Sequence, residues 1–328
     1  MFDDLPRERF SFLPTPLHRL NNLGDSLGIK DLWIKRDDLT GISVGGNKTR
    51  KLEFVFGDAK VQGADTIVTV GGVQSNHCRQ TAAAAAITGL RCILLLAGYE
   101  PEISTGNLLL DKLYGAEIKY FPDANVLEMN EHIDSIMETL QDFGLTPYAI
   151  PVGAAMPVGT IGYANAMFEL KEQMETTGFK PEKIVVAAGT GSTLAGMILG
   201  AHAAELDVDI IGVSVISKAK VVEERIRDLI ERTIEAYPNH FDSFTPVFSI
   251  DDQFLGEGYG IISDGVRSAI EMFAKMDSIL LDPVYTAKAG LSLMQLALSG
   301  AIDSRTKTLF WHTGGIPELF THAEEFFI

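Results

Sequence analysis

Short runs rich in valine, isoleucine and leucine alternate with helical patterns along the chain. In the first half, strands are predicted at residues 67–70, 92–96, 117–120 and 147–150, and helices at 81–88, 107–114 and 128–142. The second half resumes the alternation with a strand at 183–188, a helix at 194–204, an apolar stretch at 309–313 and a helix beginning about Pro317. Strands and helices that alternate at this spacing predict an α/β fold built from parallel units.

A glycine- and proline-rich passage at residues 151–159 interrupts the alternation and is typical of a connection between two lobes. The chain has 328 residues, which is enough for two domains with substantial cores. We predict a smaller lobe at residues 48–158. The larger lobe is then discontinuous and combines residues 1–47 with residues 159–328.

The composition is that of a globular protein, with 46% hydrophobic and 22% charged residues. No apolar run reaches the roughly 20 residues that a membrane span needs, and residues 1–7 lack the basic-then-apolar order of a signal peptide. We therefore predict a cytoplasmic protein.

Cys78 and Cys92 are too few for a disulfide framework and lack a metal-binding spacing, so we predict two reduced, mostly buried thiols and no metal site.

The formal net charge of −17 argues against nucleic acid and anionic membrane surfaces as partners. It also means that any phosphate-bearing ligand must be captured against a negative background. A site for such a ligand needs concentrated donors, which glycine-loop amides, helix N-termini and a few nearby cations supply.

Lys48 lies where a glycine turn meets the start of a predicted amphipathic helix. The positive end of the helix dipole, together with Arg50 and Lys51, disfavours a further cation there, so the pKa of the Lys48 amine is predicted to be lowered. An unprotonated lysine is a nucleophile whose characteristic product is a Schiff base with a carbonyl. The alternative at this point is an ordinary lysine that faces water.

A second hypothesis for this segment is a nucleotide site. Residues 41–49 nearly match the phosphate-binding G-x-x-x-x-G-K-[ST] loop, and residues 279–282 resemble the acidic strand of a nucleotide hydrolase. The match fails because Asn47 separates the glycine from the lysine. In addition, residues 35–40 are polar, whereas a phosphate loop of this kind follows a hydrophobic strand.

Three other loops combine glycines with polar side chains at the ends of predicted strands. Residues 189–193, read as GTGST, are the strongest phosphate-site candidate, with a structural turn as the alternative. Residues 71–77 suit recognition of a carboxylate or a ring hydroxyl, although Ser75 and Asn76 are also good helix caps. Residues 309–315 form the third loop. Because ligands bind beyond the carboxyl ends of strands in open α/β sheets, all three loops are predicted to line one crevice.

The ordered motifs resemble the pyridoxal-phosphate enzymes of the 1-aminocyclopropane-1-carboxylate deaminase and D-cysteine desulfhydrase family. They are GGNKTRKLE at 45–53, QSNH at 74–77, GTGST at 189–193, GEGYG at 256–260, LDPVYT at 281–286 and HTGG at 312–315. The resemblance covers nearly the whole chain, and residues 14–17 and 34–38 fit a wider group that is similar to the tryptophan synthase β subunit. It implies two open, twisted, mostly parallel sheets flanked by helices, with the cofactor between the lobes, and a homodimer.

The resemblance also implies roles for individual residues. Lys48 holds pyridoxal phosphate through a Schiff base and later moves the α-proton of the substrate. Asn76 faces the ring hydroxyl of the cofactor, and Ser75 lies near the substrate carboxylate. Lys51 assists the phosphate loop, whose members are Gly189, Thr190, Gly191, Ser192 and Thr193.

Tyr259 and Tyr285 fall where the family places two tyrosines beside the substrate, and their phenols are suited to positioning it or to moving protons. From the residues alone, both would be ordinary amphipathic packing residues. His77 adjoins Ser75 and Asn76 and is a further substrate-binding candidate.

Two threonines bear on which reaction is favoured. Ring-opening deaminases of the family carry a glutamate near the pyridine nitrogen where this chain has Thr286, and a leucine where it has Thr313. A hydroxyl keeps the ring nitrogen protonated less well than a carboxylate does, so the ring is a weaker electron sink. This difference favours β-elimination from D-cysteine, which gives pyruvate, ammonia and sulfide.

Four other hypotheses stay open at the level of sequence. The chain is also compatible with an L-cysteate sulfo-lyase, which needs a cation for the sulfonate from His77, Arg79 or His312, and with a 1-aminocyclopropane-1-carboxylate deaminase. The two hypotheses from other classes are the nucleotide hydrolase and a non-catalytic amino-acid-binding protein with the same fold.

Overall fold

The computed structural model describes residues 1–126, 128–256 and 261–327. The strands are β1 Leu17–Arg19, β2 Leu32–Arg36, β3 Thr66–Gly72, β4 Arg91–Ala97, β5 Glu117–Phe121, β6 Pro147–Ile150, β7 Lys183–Ala188, β8 Asp209–Ser214, β9 Ser249–Asp251 and β10 Thr308–His312. The α-helices are α1 Asn21–Leu27, α2 Lys48–Val61, α3 Asn76–Thr88, α4 Gly106–Leu113, α5 Ile133–Asp142, α6 Pro157–Thr177, α7 Ser192–Ala203, α8 Ala219–Ala236, α9 Asp264–Asp277, α10 Thr286–Leu298, α11 Ile316–Leu319 and α12 Glu324–Phe327.

The strands form two sheets. A six-stranded sheet has the order β1-β2-β10-β7-β8-β9, and a four-stranded sheet has the order β5-β4-β3-β6. Every pairing is parallel except that of β1 with β2. The predicted α/β fold with two mostly parallel sheets flanked by helices is therefore confirmed. The strands of the smaller sheet lie between residues 66 and 150, while the exact division into lobes stays a prediction.

Strand β2 was not predicted, because its sequence reads as a charged surface segment. Lys35 in this strand is completely buried. Its ammonium donates hydrogen bonds to the carbonyl oxygen of Thr15 at 2.8 Å and to Oε1 of Gln173 at 2.6 Å, and it forms an ion pair with Glu169. Burial of a charge is tolerated when it is paired and hydrogen-bonded in this way. Two of these partners, Glu169 and Gln173, lie more than 100 residues from Lys35 in the chain, so no local sequence pattern indicates them.

Helix α2 is buried rather than amphipathic, which corrects the prediction made for it. Residues 49–57 are all buried, so this stretch has no face directed to solvent. Close packing against α6 explains the burial: a side chain at Gly162 would place its Cβ 2.3 Å from the carbonyl oxygen of Arg50. The first turn of α2 is therefore fixed inside the protein.

The two cysteines agree with prediction, since Cys78 and Cys92 are both free and buried. Burial raises the pKa of each thiol. No helix within the described residues has the length and apolar character required to cross a membrane.

Candidate active site

A cavity of about 310 Å³ lies at the carboxyl ends of strands from both sheets, a size in the range of small-molecule sites. The three predicted loops and the start of α2 all contribute to it. The predicted site residues that line it are Lys48, Lys51, Ser75, Asn76, His77, Gly189, Thr190, Gly191, Thr193, Tyr285 and Thr313. Ser192 and Thr286 do not line the cavity, and Tyr259 lies outside the described residues.

Lys48 is the first residue of α2, and its side chain faces the cavity. Burial and, to a smaller extent, the positive charge of Arg79 lower the pKa of its amine to about 8, against the opposing effect of the Asp282 charge. The predicted lowering is confirmed, but its main cause is burial. Arg50 contributes little because its charge is compensated by ion pairs with Asp37 and Glu169.

Two glycines before Lys48 let the chain turn sharply into the helix. Gly45 has a φ of +69°, and a Cβ there would lie 2.0 Å from the carbonyl oxygen of Asp38. Gly46 has a φ of +121°, and a Cβ there would lie 2.6 Å from Nε2 of Gln80. The backbone contact excludes a side chain at Gly45, and the positive φ at both positions disfavours any residue other than glycine, so the turn that delivers Lys48 depends on glycine at each of them.

Asn47 connects three parts of the site. In the sequence it stands out only as the residue that breaks the match to the phosphate-binding loop motif. Its backbone N–H donates to the carbonyl oxygen of Thr313 at 2.9 Å, and its Nδ2 donates to Oγ1 of Thr193 at 3.0 Å. Its Oδ1 accepts a hydrogen bond from Nζ of Lys48 at 3.0 Å. The asparagine therefore holds the lysine in register with two loops of the larger sheet.

The loop at 189–193 has the properties of an anion site. It joins β7 to α7, and the helix begins after Gly191, whose φ is +96°, without a side chain capping its first amides. Nζ of Lys51 donates to Oγ of Ser192 at 2.6 Å and to the carbonyl oxygen of Gly153 at 3.3 Å. Burial and the charge of Lys48 hold the pKa of Lys51 well below its usual value. A dianion bound there would meet backbone donors, the helix dipole and a buried amine together.

Ser75 and His77 have structural partners as well as positions on the cavity. Oγ of Ser75 accepts a hydrogen bond from the backbone N–H of Cys78 at 3.2 Å and so caps α3. Thr69 donates its hydroxyl proton to the carbonyl oxygen of Ile150, so the proton in its 2.8 Å contact with His77 lies on Nε2 of the imidazole. Burial, with the charges of Lys48 and Lys51, holds the pKa of His77 well below 6.5. His77 is therefore neutral.

Arg79 and His312 lie outside the cavity lining. Nε2 of His312 donates to the carbonyl oxygen of Leu280 at 2.9 Å, and its Nδ1 accepts from the backbone N–H of Gly314 at 3.2 Å. This bonding fixes the turn after β10. Neither residue therefore places a side chain in the described lining of the cavity.

Asp282 organises the turn that carries Tyr285. Its carboxylate accepts hydrogen bonds from the backbone N–H groups of Val284, Tyr285 and Thr286 at 2.8–2.9 Å. Oγ1 of Thr286 donates to the same carboxylate at 2.6 Å, so this hydroxyl is directed away from the cavity. Residues 279–282 are not a strand, so the acidic strand expected for a nucleotide hydrolase is absent from this part of the structure.

Comparison with known proteins decides the family. Residues 9–314 match the model of a family described as pyridoxal-phosphate dependent enzyme. The chain belongs to this family. Its cofactor is pyridoxal phosphate, and the nucleotide-hydrolase hypothesis is wrong.

The relatives share almost the full length of the chain. A protein of Pyrococcus abyssi that carries the provisional name 1-aminocyclopropane-1-carboxylate deaminase is 40% identical over 97% of this chain and 94% of its own length. A 1-aminocyclopropane-1-carboxylate deaminase of Burkholderia vietnamiensis is 35% identical over 98% of this chain and 97% of its own length. A crystal structure described as an ACC deaminase homologue has a TM-score of 0.91 at 38% identity, covering 99% of this chain and 96% of that one.

The cavity fits the cofactor in its chemistry. Pyridoxal phosphate requires a nucleophilic lysine for its aldehyde and a separate anion site for its phosphate. The cavity offers a half-buried lysine with a lowered pKa at one place and an uncapped helix N-terminus beside a buried lysine at another.

Proposed function

We propose that this enzyme is a pyridoxal-phosphate-dependent lyase that eliminates sulfide from D-cysteine, after which hydrolysis by one water gives pyruvate and ammonia. The observation that carries the proposal is the absence of a carboxylate from the described lining of the cavity, which otherwise contains the lysine and the anion site that the cofactor needs. The proposal includes a homodimer, which the family resemblance supports, and the cytoplasmic location predicted in the sequence analysis.

Within this proposal, Lys48 is the covalent attachment point of the cofactor, and the 189–193 loop with Lys51 holds the phosphate. Asn76 contacts the ring oxygen. When bound, the cofactor withdraws electrons from the α-carbon and so weakens the bonds to it.

The residues of the chain then move protons and orient the substrate. A lysine amine with a pKa of about 8 is suited to taking the α-proton near neutral pH and returning it later. Ser75, at the N-terminus of α3, lies where a substrate carboxylate can be bound by a helix start. Tyr285 lines the same cavity and is proposed to position the substrate.

The missing carboxylate favours loss of a leaving group over opening of a carbon ring. Thr286 has its hydroxyl bonded to Asp282, and Thr313 can hydrogen-bond a ring nitrogen but holds no charge against it. A pyridine nitrogen without a carboxylate partner is protonated less readily. Sulfide is a good leaving group, so its elimination from the β-carbon needs less electron withdrawal than cleavage of a cyclopropane bond.

L-cysteate is a poorer fit than D-cysteine. Its sulfonate carries a permanent negative charge and would need a cation besides those assigned to the cofactor. In the described lining, Lys48 and Lys51 are the only lysine or arginine side chains, and His77 is neutral. Both lysines are assigned to the cofactor in this proposal.

Deamination of 1-aminocyclopropane-1-carboxylate is the second candidate function. It is supported by the names of relatives that are 35–40% identical over nearly the whole chain. No relative reported above carries D-cysteine in its name, so the proposal of sulfide elimination rests on the cavity and the family resemblance rather than on those names.

A turnover assay with the purified, cofactor-loaded enzyme separates the candidates. D-cysteine, L-cysteine, L-cysteate, D-serine and 1-aminocyclopropane-1-carboxylate are compared for release of ammonia, sulfide and keto acid. We expect equal amounts of sulfide, pyruvate and ammonia from D-cysteine. A four-carbon keto acid from 1-aminocyclopropane-1-carboxylate, without sulfide from D-cysteine, would favour the second candidate. A cofactor-loaded protein that turns over none of them would favour the binding-protein hypothesis.

The proposed role of Lys51 gives a separate prediction. Lys51→Gln removes the amine next to Ser192 that is proposed to meet the phosphate as a cation, and it is expected to weaken cofactor binding about ten- to a hundredfold, the usual effect of losing a charge-assisted hydrogen bond. The dissociation constant is measured by fluorescence titration of the cofactor-free enzyme. Lys60→Gln is the matched control, because Lys60 is an exposed lysine on the same helix. Equal dissociation constants for the two variants would contradict the assignment.

A further inference from the structure

A buried chain of hydrogen bonds leads from Arg79 to Asn76. Nε of Arg79 donates to Oδ1 of Asn107 at 2.7 Å. Nδ2 of Asn107 donates to Oδ1 of Asn76 at 3.0 Å and to the carbonyl oxygen of Gln74 at 2.8 Å. Arg79 and Asn107 are completely buried, and neither lines the cavity.

The direction of every bond in this chain is fixed by chemistry. A guanidinium group has only donors, so the atom of Asn107 that faces it must be the amide oxygen. The other end of the Asn107 amide is then NH₂, which can only donate. Its partner on Asn76 is therefore the oxygen, and the NH₂ group of Asn76 is left for other partners. Asn76 itself lines the cavity.

We propose that Arg79 and Asn107 are positioning residues that hold the side chain of Asn76 as a hydrogen-bond donor toward the ring oxygen of the cofactor. The inference rests on the cofactor placement proposed above. An amide that is free to rotate by 180° presents either its oxygen or its nitrogen, whereas this one is held in a single orientation. A donor at that position stabilises the ionised ring oxygen, and an acceptor would destabilise it.

Other contacts of Arg79 support a role at the site. Its Nη1 donates to Oγ of Ser43 at 3.0 Å, and its Nη2 donates to the carbonyl oxygen of Gly45 at 3.2 Å. The same side chain therefore holds the glycine turn that precedes Lys48. The positive charge of Arg79 also helps to lower the pKa of Lys48. Arg79 thus acts on both Lys48 and Asn76, the two residues that are proposed to contact the reactive end of the cofactor.

The test uses the absorption of the bound cofactor, whose visible band reports the ionised ring oxygen and whose near-ultraviolet band reports the neutral one. Asn76→Ala removes the donor directly, and Asn107→Leu removes the residue that orients it. At constant pH and saturating cofactor, the ratio of the visible to the near-ultraviolet band is expected to fall about tenfold or more in both variants. Asn22→Leu, at an exposed asparagine bonded to Met276, should leave the ratio unchanged.

A second variant guards against misfolding of Asn107→Leu. Asn107→Asp is nearly isosteric and keeps an acceptor for Arg79, but it cannot donate to Asn76 while ionised, so the ratio should fall there too. A fall in Asn76→Ala with no change in either Asn107 variant would overturn the inference and leave the cofactor placement intact. No change in Asn76→Ala would overturn the placement of the cofactor against Asn76, and the inference with it.

Discussion

Replacing Lys48 with alanine is expected to reduce turnover of the true substrate by about a thousandfold or more, because one residue is proposed both to hold the cofactor and to carry the α-proton. General acid–base catalysis alone contributes about 10²–10⁴-fold in rate. Within the described lining, no second amine can replace that of Lys48, since the other lysine there, Lys51, is hydrogen-bonded to Ser192 and Gly153. The measurement is kcat for sulfide or keto-acid release at saturating cofactor.

Lys48→Arg is the matched control for this prediction. Arginine keeps the positive charge and most of the volume, but its guanidinium does not act as an amine nucleophile at neutral pH. If Lys48 acts through its amine, the arginine variant should be as inactive as the alanine variant while still binding the phosphate end of the cofactor. Wild-type turnover in either variant would contradict the assigned role.

Arg50→Ala is expected to destabilise the protein by about 3–5 kcal/mol, because it removes the ion-pair partner of the buried Asp37 carboxylate and leaves Glu169 with Lys35 alone. Nε and Nη2 of Arg50 contact the two oxygens of Asp37 at 2.9 and 2.8 Å. Its Nη1 and Nη2 contact the two oxygens of Glu169 at 2.9 Å. Burial, the largest single effect, raises the pKa of Asp37, but the charge and hydrogen bonds of Arg50, with the charge of Lys35 and the hydrogen bond from Tyr163, together outweigh it and hold the pKa at about 2.

Chemical denaturation measures this loss as a change in the free energy of unfolding. Arg91→Ala is the matched control, because Arg91 forms a comparable ion pair with Glu117 on the surface. Exposed pairs contribute about 0–1 kcal/mol, so the control should unfold close to the wild type. Equal unfolding midpoints for Arg50→Ala and Arg91→Ala would show that the buried network does not stabilise the fold as argued.

The regular part of the fold was predictable because most of the predicted strands are continuous apolar runs. Strands β3, β4 and β7 are buried along nearly their whole length, so their sequences carry the signal directly. Strand β2 lacks that signal, since Lys35 and Arg36 look like surface charge. Only the tertiary fold brings Glu169 and Gln173 to Lys35 and makes its burial possible.

Within the candidate site, too, local features could be predicted from the sequence, whereas contacts between distant residues could not. Lys48 and the 189–193 loop were identified from glycine turns that precede helices, a local feature of sequence. The roles of Asn47 and Asn107 were not identified, because their partners are distant: Thr193 for the first and Arg79 for the second. An asparagine in a loop or at a helix start is an ordinary capping residue until the fold shows what it contacts.

Mapping the attachment site of the cofactor tests the central claim most directly. Borohydride treatment of the cofactor-loaded enzyme makes the link between lysine and cofactor permanent, and peptide mass spectrometry then locates the modified residue. We predict a single modified lysine, Lys48, in stoichiometric amount. Modification of Lys51 or of any lysine outside the cavity, with Lys48 unmodified, would contradict the account.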